Sequence, residues 1–402
     1  MGSELSIRRY LPGLLALLTA YVLVYIHRVA IAVMTPELSE LLGGSSAEFL
    51  VSQITAAYFY AYALMQIPGG VLADVLGIKR YTSLSLLLLF AGSLLFTPLV
   101  PSLMIAGRAL IGAGAAAIFI SLQRFIAVFH SKDVGARITG VALTAGNVGA
   151  ILATAPLRYL VGYAGLAVTF IVLAIPAVIL SLQTYSQIPD LGISARLGLK
   201  DSVRAAARQL RVVTSSIHSW SLGIILAATY GTTLAFQSYW GLKYFIRVGG
   251  VDANTASLYL MAVALTFAAA TPLVGHVSDK VIGKRKPLLL LAPVLQAAAW
   301  AFLYLLLWRP GTHDMLLTLL AAIALGASSA VHIVIAPMAR EVYEREYSGT
   351  SFAFVNFLGF SGTALLETLL PLLGGSMNAV LLIYILVNLV ASVLTGFTRE
   401  SM

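Results

Sequence analysis

Apolar runs long enough to cross a bilayer recur along the whole chain, and the polar stretches between them are too short to hold another folded domain. Twelve are read, at about 10–34, 50–72, 81–99, 102–128, 135–160, 165–185, 219–245, 254–276, 287–308, 314–338, 351–373 and 377–397. In lipid the backbone must satisfy its own polar groups, so each run is predicted to be a helix. The longest polar insert, 186–218, separates six spans from six. The expected fold is an all-α polytopic membrane protein with twelve transmembrane helices in two pseudo-symmetric six-helix bundles. The bundles cover 1–185 and 219–402, with a linker between them. Within that linker Arg204, Arg208 and Arg211 fall at i, i+4 and i+7. They predict a short helix with one basic face suited to anionic headgroups.

A repeated turn supports the two-bundle reading. After the second span the chain reads Gly70-Val-Leu-Ala-Asp74-Val-Leu-Gly77-Ile-Lys79-Arg80. After the eighth it reads Gly275-His-Val-Ser-Asp279-Lys-Val-Ile-Gly283-Lys-Arg285-Lys286. Both place an Asp four residues after a Gly, then a Gly, then a basic cluster, at equivalent points of the two halves. A duplicated bundle of this kind is the sequence mark of a transporter.

Composition narrows the class. Hydrophobic residues make up 59% of the chain and charged residues 10%, and the mean hydropathy is +0.93. The net charge of +9 could suggest nucleic acid, but its placement argues otherwise. With the N-terminus inside and sides alternating, 18 of the 25 Lys and Arg fall in cytoplasmic segments, Arg340 and the linker arginines among them. That asymmetry is the positive-inside rule, so the basic balance reports topology. Both termini are then cytoplasmic, and no nucleic-acid partner is expected. Cysteine is absent, which removes disulfides and thiolate metal sites. No Walker A loop, metal-ligand cluster or catalytic constellation stands out, so neither an enzyme nor a cofactor is expected.

The spans and the repeated turn together resemble the major facilitator superfamily, over essentially the whole length. The first turn is similar to the superfamily signature G-x-L-A-D-x-x-G-x-K/R, with Val75 where Arg is usual. The resemblance implies a conformational latch at Gly70, Asp74, Gly77, Lys79, Arg80, Asp279 and Arg285. The glycines are expected to permit a tight turn and close helix approach, and Asp74 is expected to face a helix N-terminus across the interface between halves. Arg108, Gly112 and Gly114 in the fourth span match a pattern common there, in which the glycines thin the helix for packing. The fifth span departs from the proton-driven drug antiporters, with Gly146-Asn147-Val148-Gly149 carrying no Pro and no Gly pair.

Charges at bilayer depth cost roughly 2.5–3.5 kcal/mol each on insertion scales, so the few that remain form the functional shortlist. They are Arg28, Arg108, Arg124 and Glu367. A first half with three buried cations and no buried acid should attract an anion and repel a cation. Tyr21, Tyr25 and Arg28 lie at i, i+4 and i+7 on one helical face. The stretch from Tyr25 to Pro36 also looks like the first span of organic-anion and organophosphate carriers, where the resemblance implies that the Arg holds the anion. Arg28 is therefore read as a substrate contact, against the alternative of a structural Arg bonded to neighbouring carbonyls. Arg108 is weighted as structural or coupling, and Arg124 as an interfacial residue or an inner binding point. Gln237, Trp240 and Tyr244 line one side of the seventh span together with Tyr230. Asn356, Phe360, Thr363 and Glu367 share a face of the eleventh. His27 and Glu367 are the proton-coupling candidates.

These readings predict a monomeric secondary transporter of a small organic anion (carboxylate, sugar acid or phosphate ester). It would sit in the cytoplasmic membrane, work by alternating access, and be driven by a proton or by the substrate gradient. The alternative is a proton-driven exporter of amphipathic or cationic compounds, which needs an acid facing the cavity in the first half.

Overall fold

Every regular element among the described residues is helical, as lipid requires of an apolar chain without a closed barrel. The computed structural model describes residues 2–43, 46–189, 199–308, 314–372, 374 and 376–400. Before the linker run α1 (Gly2–Leu42), α2 (Ala47–Phe96), α3 (Pro101–Phe129), α4 (Lys132–Leu152) and α5 (Ala155–Gln187). The linker carries α6 (Leu199–Thr214). After it come α7 (Ile217–Gly249), α8 (Ala253–Ile282), α9 (Lys286–Leu306), α10 (Met315–Glu341), α11 (Arg345–Leu372) and α12 (Met377–Leu394).

Among the described residues ten helices are long and apolar enough to cross a membrane, and α4 adds a shorter apolar one over Arg137–Leu152. The fifty residues of α2 would measure about 75 Å as one rod, more than twice the hydrocarbon thickness. Gly77 breaks that rod with φ 75° and ψ 158°, a region open to glycine, so α2 supplies two crossings and the count reaches twelve. One boundary differs from expectation. The fifth crossing ends at Leu152, not near 160, because Thr154 leaves helical geometry and Pro156, in the first turn of α5, has no N–H to continue the ladder. A second glycine break at Gly165 then sets off the sixth crossing.

Close packing depends on a few glycines. A Cβ on Gly112 would collide with the Tyr58 carbonyl of α2, and one on Gly114 with the Ser85 carbonyl, so α3 lies backbone to backbone against both arms of α2. In the second half Gly326 of α10 meets the Val263 carbonyl of α8 in the same way. That pair of spans is the structural equivalent of the first, a symmetry the amino-acid letters conceal. On α4, Gly146 and Gly149 receive the rings and backbone of α1 at Tyr21, Val22 and Tyr25.

Candidate functional site

The two halves meet tightly on the side away from the linker. Arg158 of α5 pairs with Glu37 of α1 at 2.6 Å. It also donates to the Val33 carbonyl at 2.9 Å and to Asn254 of α8 at 3.2 Å, the last across the halves. Lys243 of α7 pairs with Glu48 of α2 at 2.8 Å, and Tyr239 donates to the Glu48 carbonyl at 2.8 Å. Deeper in, Ser52 donates to the Glu367 carbonyl at 2.6 Å and Tyr60 meets Thr368 at 3.1 Å. Asp252 caps α8 there, and hydrogen bonds from Thr255 and Asn254 hold its carboxyl below the usual carboxylate range.

On the linker side the halves part around two chambers that share Phe119, Gln123, Arg340 and Phe352 in their walls. One, of about 540 Å³, runs from Arg28 down to the second basic turn at Asp279 and Arg285. The other, of about 630 Å³, lies between the first turn at Asp74, the linker helix α6 and the start of α11. The linker helix is tied to α11 by Arg208–Glu346 at 2.9 Å and Thr350–Gln209 at 2.7 Å, while its Ser202 and Ala205 face the chamber.

Arg28 lies in the wall of the first chamber and is 2% exposed. Its guanidinium carbon sits 4.2 Å from the Tyr25 ring centroid, 4.9 Å from Tyr62 and 5.2 Å from Phe360, so rings from both halves surround it. Its Nε and Nη2 have no hydrogen-bond partner, and no ion pair among the described residues includes it. A buried cation without an anion is costly, and here it borders empty space large enough for one. Tyr21, which donates weakly to Tyr25 at 3.4 Å, and Asn356 join Arg28 in the chamber as expected. Asn356 reaches Gln66 across the halves at 3.5 Å.

Other expected residues go elsewhere. Gln237 lines a small void on the far side with Val29, Thr154 and Leu260. Trp240 is packed beneath Lys243 and against Tyr239, and Tyr244 spends its hydroxyl on the Leu303 carbonyl at 2.7 Å. The reason lies in α7 itself, which holds π turns at Ala227–Gly231 and Phe236–Trp240. Each inserts a residue and rotates the rest of the helix by about 100°, so a face counted at α-helical spacing from Tyr230 drifts off the cavity. Tyr230 itself stays in the chamber, stacked on His332 at 4.2 Å.

His27 points away from the chamber into the first bundle, 6.3 Å from the Phe170 ring, with both ring nitrogens unpartnered. Arg108 donates to the His27 carbonyl at 2.6 Å and stacks on Tyr58 at 4.7 Å. It anchors α1 one residue before Arg28. Glu367 is fully buried on the sealed side. Its Oε1 accepts a hydrogen bond from Ser238, which the second π turn of α7 presents, and its Oε2 has no partner. Arg124 forms an ion pair with Asp74 at the mouth and not beside Arg28.

The two turns form separate clusters. Asp74 pairs within its own half with Arg124, where a helix N-terminus across the interface was expected. In the second half Arg285 holds Asp279 at 3.6 Å and Glu341 at 2.7 Å. Lys79 lies over the Tyr185 ring at 4.5 Å, and Arg80 is exposed at the end of the turn. Gly70 has open space around its Cβ position, and the crowded glycine is Gly69, against Ile120 and Tyr81. Chamber residues that sequence reasoning missed are Tyr62, Phe119, Phe352 and Arg340. The run Tyr58-Phe59-Tyr60-Ala-Tyr62, dense in aromatic rings inside a span, was the available signal for the first.

A sequence profile described as Major Facilitator Superfamily matches residues 17–365. The chain belongs to the major facilitator superfamily. No curated protein matches it by sequence. Among solved structures, it is similar to a D-xylose–proton symporter, with a TM-score of 0.80 at 16% identity over 98% of this chain and 99% of that one. A partially occluded inward-open conformation of the xylose transporter XylE from E. coli gives 0.76 at 14% identity, over 98% and 99%. A bacterial homolog of the human lysosomal transporter Spinster, inward-facing and occupied, gives 0.71 at 15% identity over 95% of each chain. At these identities the likeness is one of fold. A superfamily member with this fold is a multi-pass membrane transporter and not an enzyme.

Proposed function

We propose that the chain is a monomeric secondary transporter of a small organic anion in the cytoplasmic membrane. It alternates access between halves 1–185 and 219–402 about the chamber at Arg28, with both termini and the linker on the cytoplasmic side. One observation carries the reading: Arg28 is a buried guanidinium with no carboxylate partner, facing a cavity whose nearest walls are rings and amides. A carboxylate or phosphate supplies the missing charge and accepts parallel hydrogen bonds from the planar fork. Tyr21, Tyr25, Tyr62, Tyr230 and Asn356 complete the pocket. A cationic cargo finds no free acid there, because Asp279 and Glu341 near the mouth are already paired with Arg285. Glu367, with an unpartnered oxygen at the seam between Ser52 and Ser238, is the group for proton coupling, and the substrate gradient alone is the other source of drive.

The experiment is a thermal-shift screen of the purified protein against organic anions, cations and neutral sugars, with Arg28→Ala in parallel. A ligand of the folded state at a hundred times its Kd stabilises by about 2.7 kcal/mol. The expected result is that one class of anion raises Tm of the parent and leaves folded Arg28→Ala unmoved. A shift from cations or neutral sugars alone would sink the reading.

A further inference from the structure

We propose that Arg340 is a second anion-binding point at the mouth of the chamber, so that the cargo is an elongated anion charged at both ends. This deepens the reading of Arg28 and rests on it. Arg340 lies near the end of α10, with its guanidinium carbon 4.0 Å from the Phe352 ring. The acids around it are taken by other arginines. Glu341 pairs with Arg285, and Glu346 with Arg208. Arg340 itself enters no ion pair among the described residues, and it borders both chambers. A residue kept only to meet lipid headgroups would point outward; this one stacks on a ring at the cavity wall.

Helix α11 provides the ruler. Phe352, Asn356 and Phe360 succeed one another at four-residue intervals along its chamber face. Arg340 covers the first of these rings and Arg28 approaches the last at 5.2 Å. The rings are eight residues apart, about 12 Å along the axis. The guanidinium carbons stand 4.0 Å and 5.2 Å off those rings, so the two cations are about 12–16 Å apart, and about 4 Å for a charge-assisted contact at each end leaves roughly 4–8 Å between two anionic carbons, the span of a linear dicarboxylate of about four to seven carbons. Between the cations the wall is Tyr62, Tyr230, Phe119 and the Asn356–Gln66 amide pair. The ring faces of that lining can pack an apolar spacer, while its phenol and amide groups remain for hydrogen bonds.

The test uses the purified full-length protein and titrates succinate, adipate and suberate against hexanoate by calorimetry. The parent should bind adipate about tenfold or more tighter than hexanoate, as a second charge pair would give. Arg340→Gln should bring adipate down to the hexanoate level while hexanoate stays within about twofold, and Arg340→Lys should restore part of the difference. Arg28→Gln should weaken both ligands. Unliganded Tm of each variant separates loss of binding from loss of fold. Equal binding of adipate and hexanoate by the parent overturns the second point and leaves Arg28 standing. So does an adipate preference that survives Arg340→Gln, or an equal loss of both ligands in that variant. Binding of none of these acids overturns the dicarboxylate cargo and this proposal with it, and binding indifferent to Arg28→Gln overturns the anion reading as well.

Discussion

The two ends of the cavity carry similar charges and use them differently. On the far side the pairs reach from one half to the other, as in Lys243 with Glu48 and Arg158 with Asn254. On the linker side each cluster closes on its own half, Arg124 with Asp74 and Arg285 with Asp279 and Glu341. A salt bridge seals a gate only when its partners sit on the bodies that must separate. The ion pairs of the repeated turns therefore do not join the halves in this structure, and the contacts between halves fall to residues with no signature.

The absence of cysteine from the chain permits a direct test of the seal. Ser52→Cys and Gln123→Cys each introduce a lone thiol, the first in the seam bonded to Glu367 and the second in the wall of both chambers. A water-soluble maleimide should label the first more than about a hundredfold more slowly, because it must wait for the far side to open. Equal rates would mean that the seam is not a seal. Next in size, Arg158→Ala removes bonds to Glu37, Val33 and Asn254 from a side chain only 11% exposed. It should lower stability by about 1–3 kcal/mol and speed labelling at Ser52→Cys. An unchanged labelling rate would assign the clamp to Lys243 and Glu48 instead. Asp74→Asn frees Arg124, but both are a third or more exposed, so the cost should stay below about 1 kcal/mol. Labelling at Ser52→Cys should not change, since the pair lies within one half. Smallest of all, Arg208→Ala breaks a well-exposed contact of the linker helix and should cost at most about 0.5 kcal/mol in Tm-derived stability. A larger loss would show the linker to be a strap that holds the bundles.

Much of the architecture was legible in the letters because lipid leaves few options. The span count and the repeated turn come from hydropathy and spacing, and the helix-thinning role of Gly112 and Gly114 from the resemblance of the fourth span. The chamber face of α1 was legible too, since Tyr21, Tyr25 and Arg28 lie on a regular helix where counting works. Counting failed on α7, where two π turns rotated Gln237, Trp240 and Tyr244 away from Tyr230. It also failed for Arg340, which reads as one more cytoplasmic basic residue until Phe352 and the neighbouring ion pairs are in view.

Hydropathy and spacing alone make this chain a duplicated bundle of twelve crossings with an excess of buried cations. Hydropathy and charge cost act locally, residue by residue, and leave their mark in the letters. Which cations find partners depends on how the spans pack. Arg108 meets a carbonyl, Arg124 meets Asp74, and Arg28 and Arg340 are left facing a cavity. Pairing is a property of side chains brought together from distant spans, and no pattern along one helix contains it.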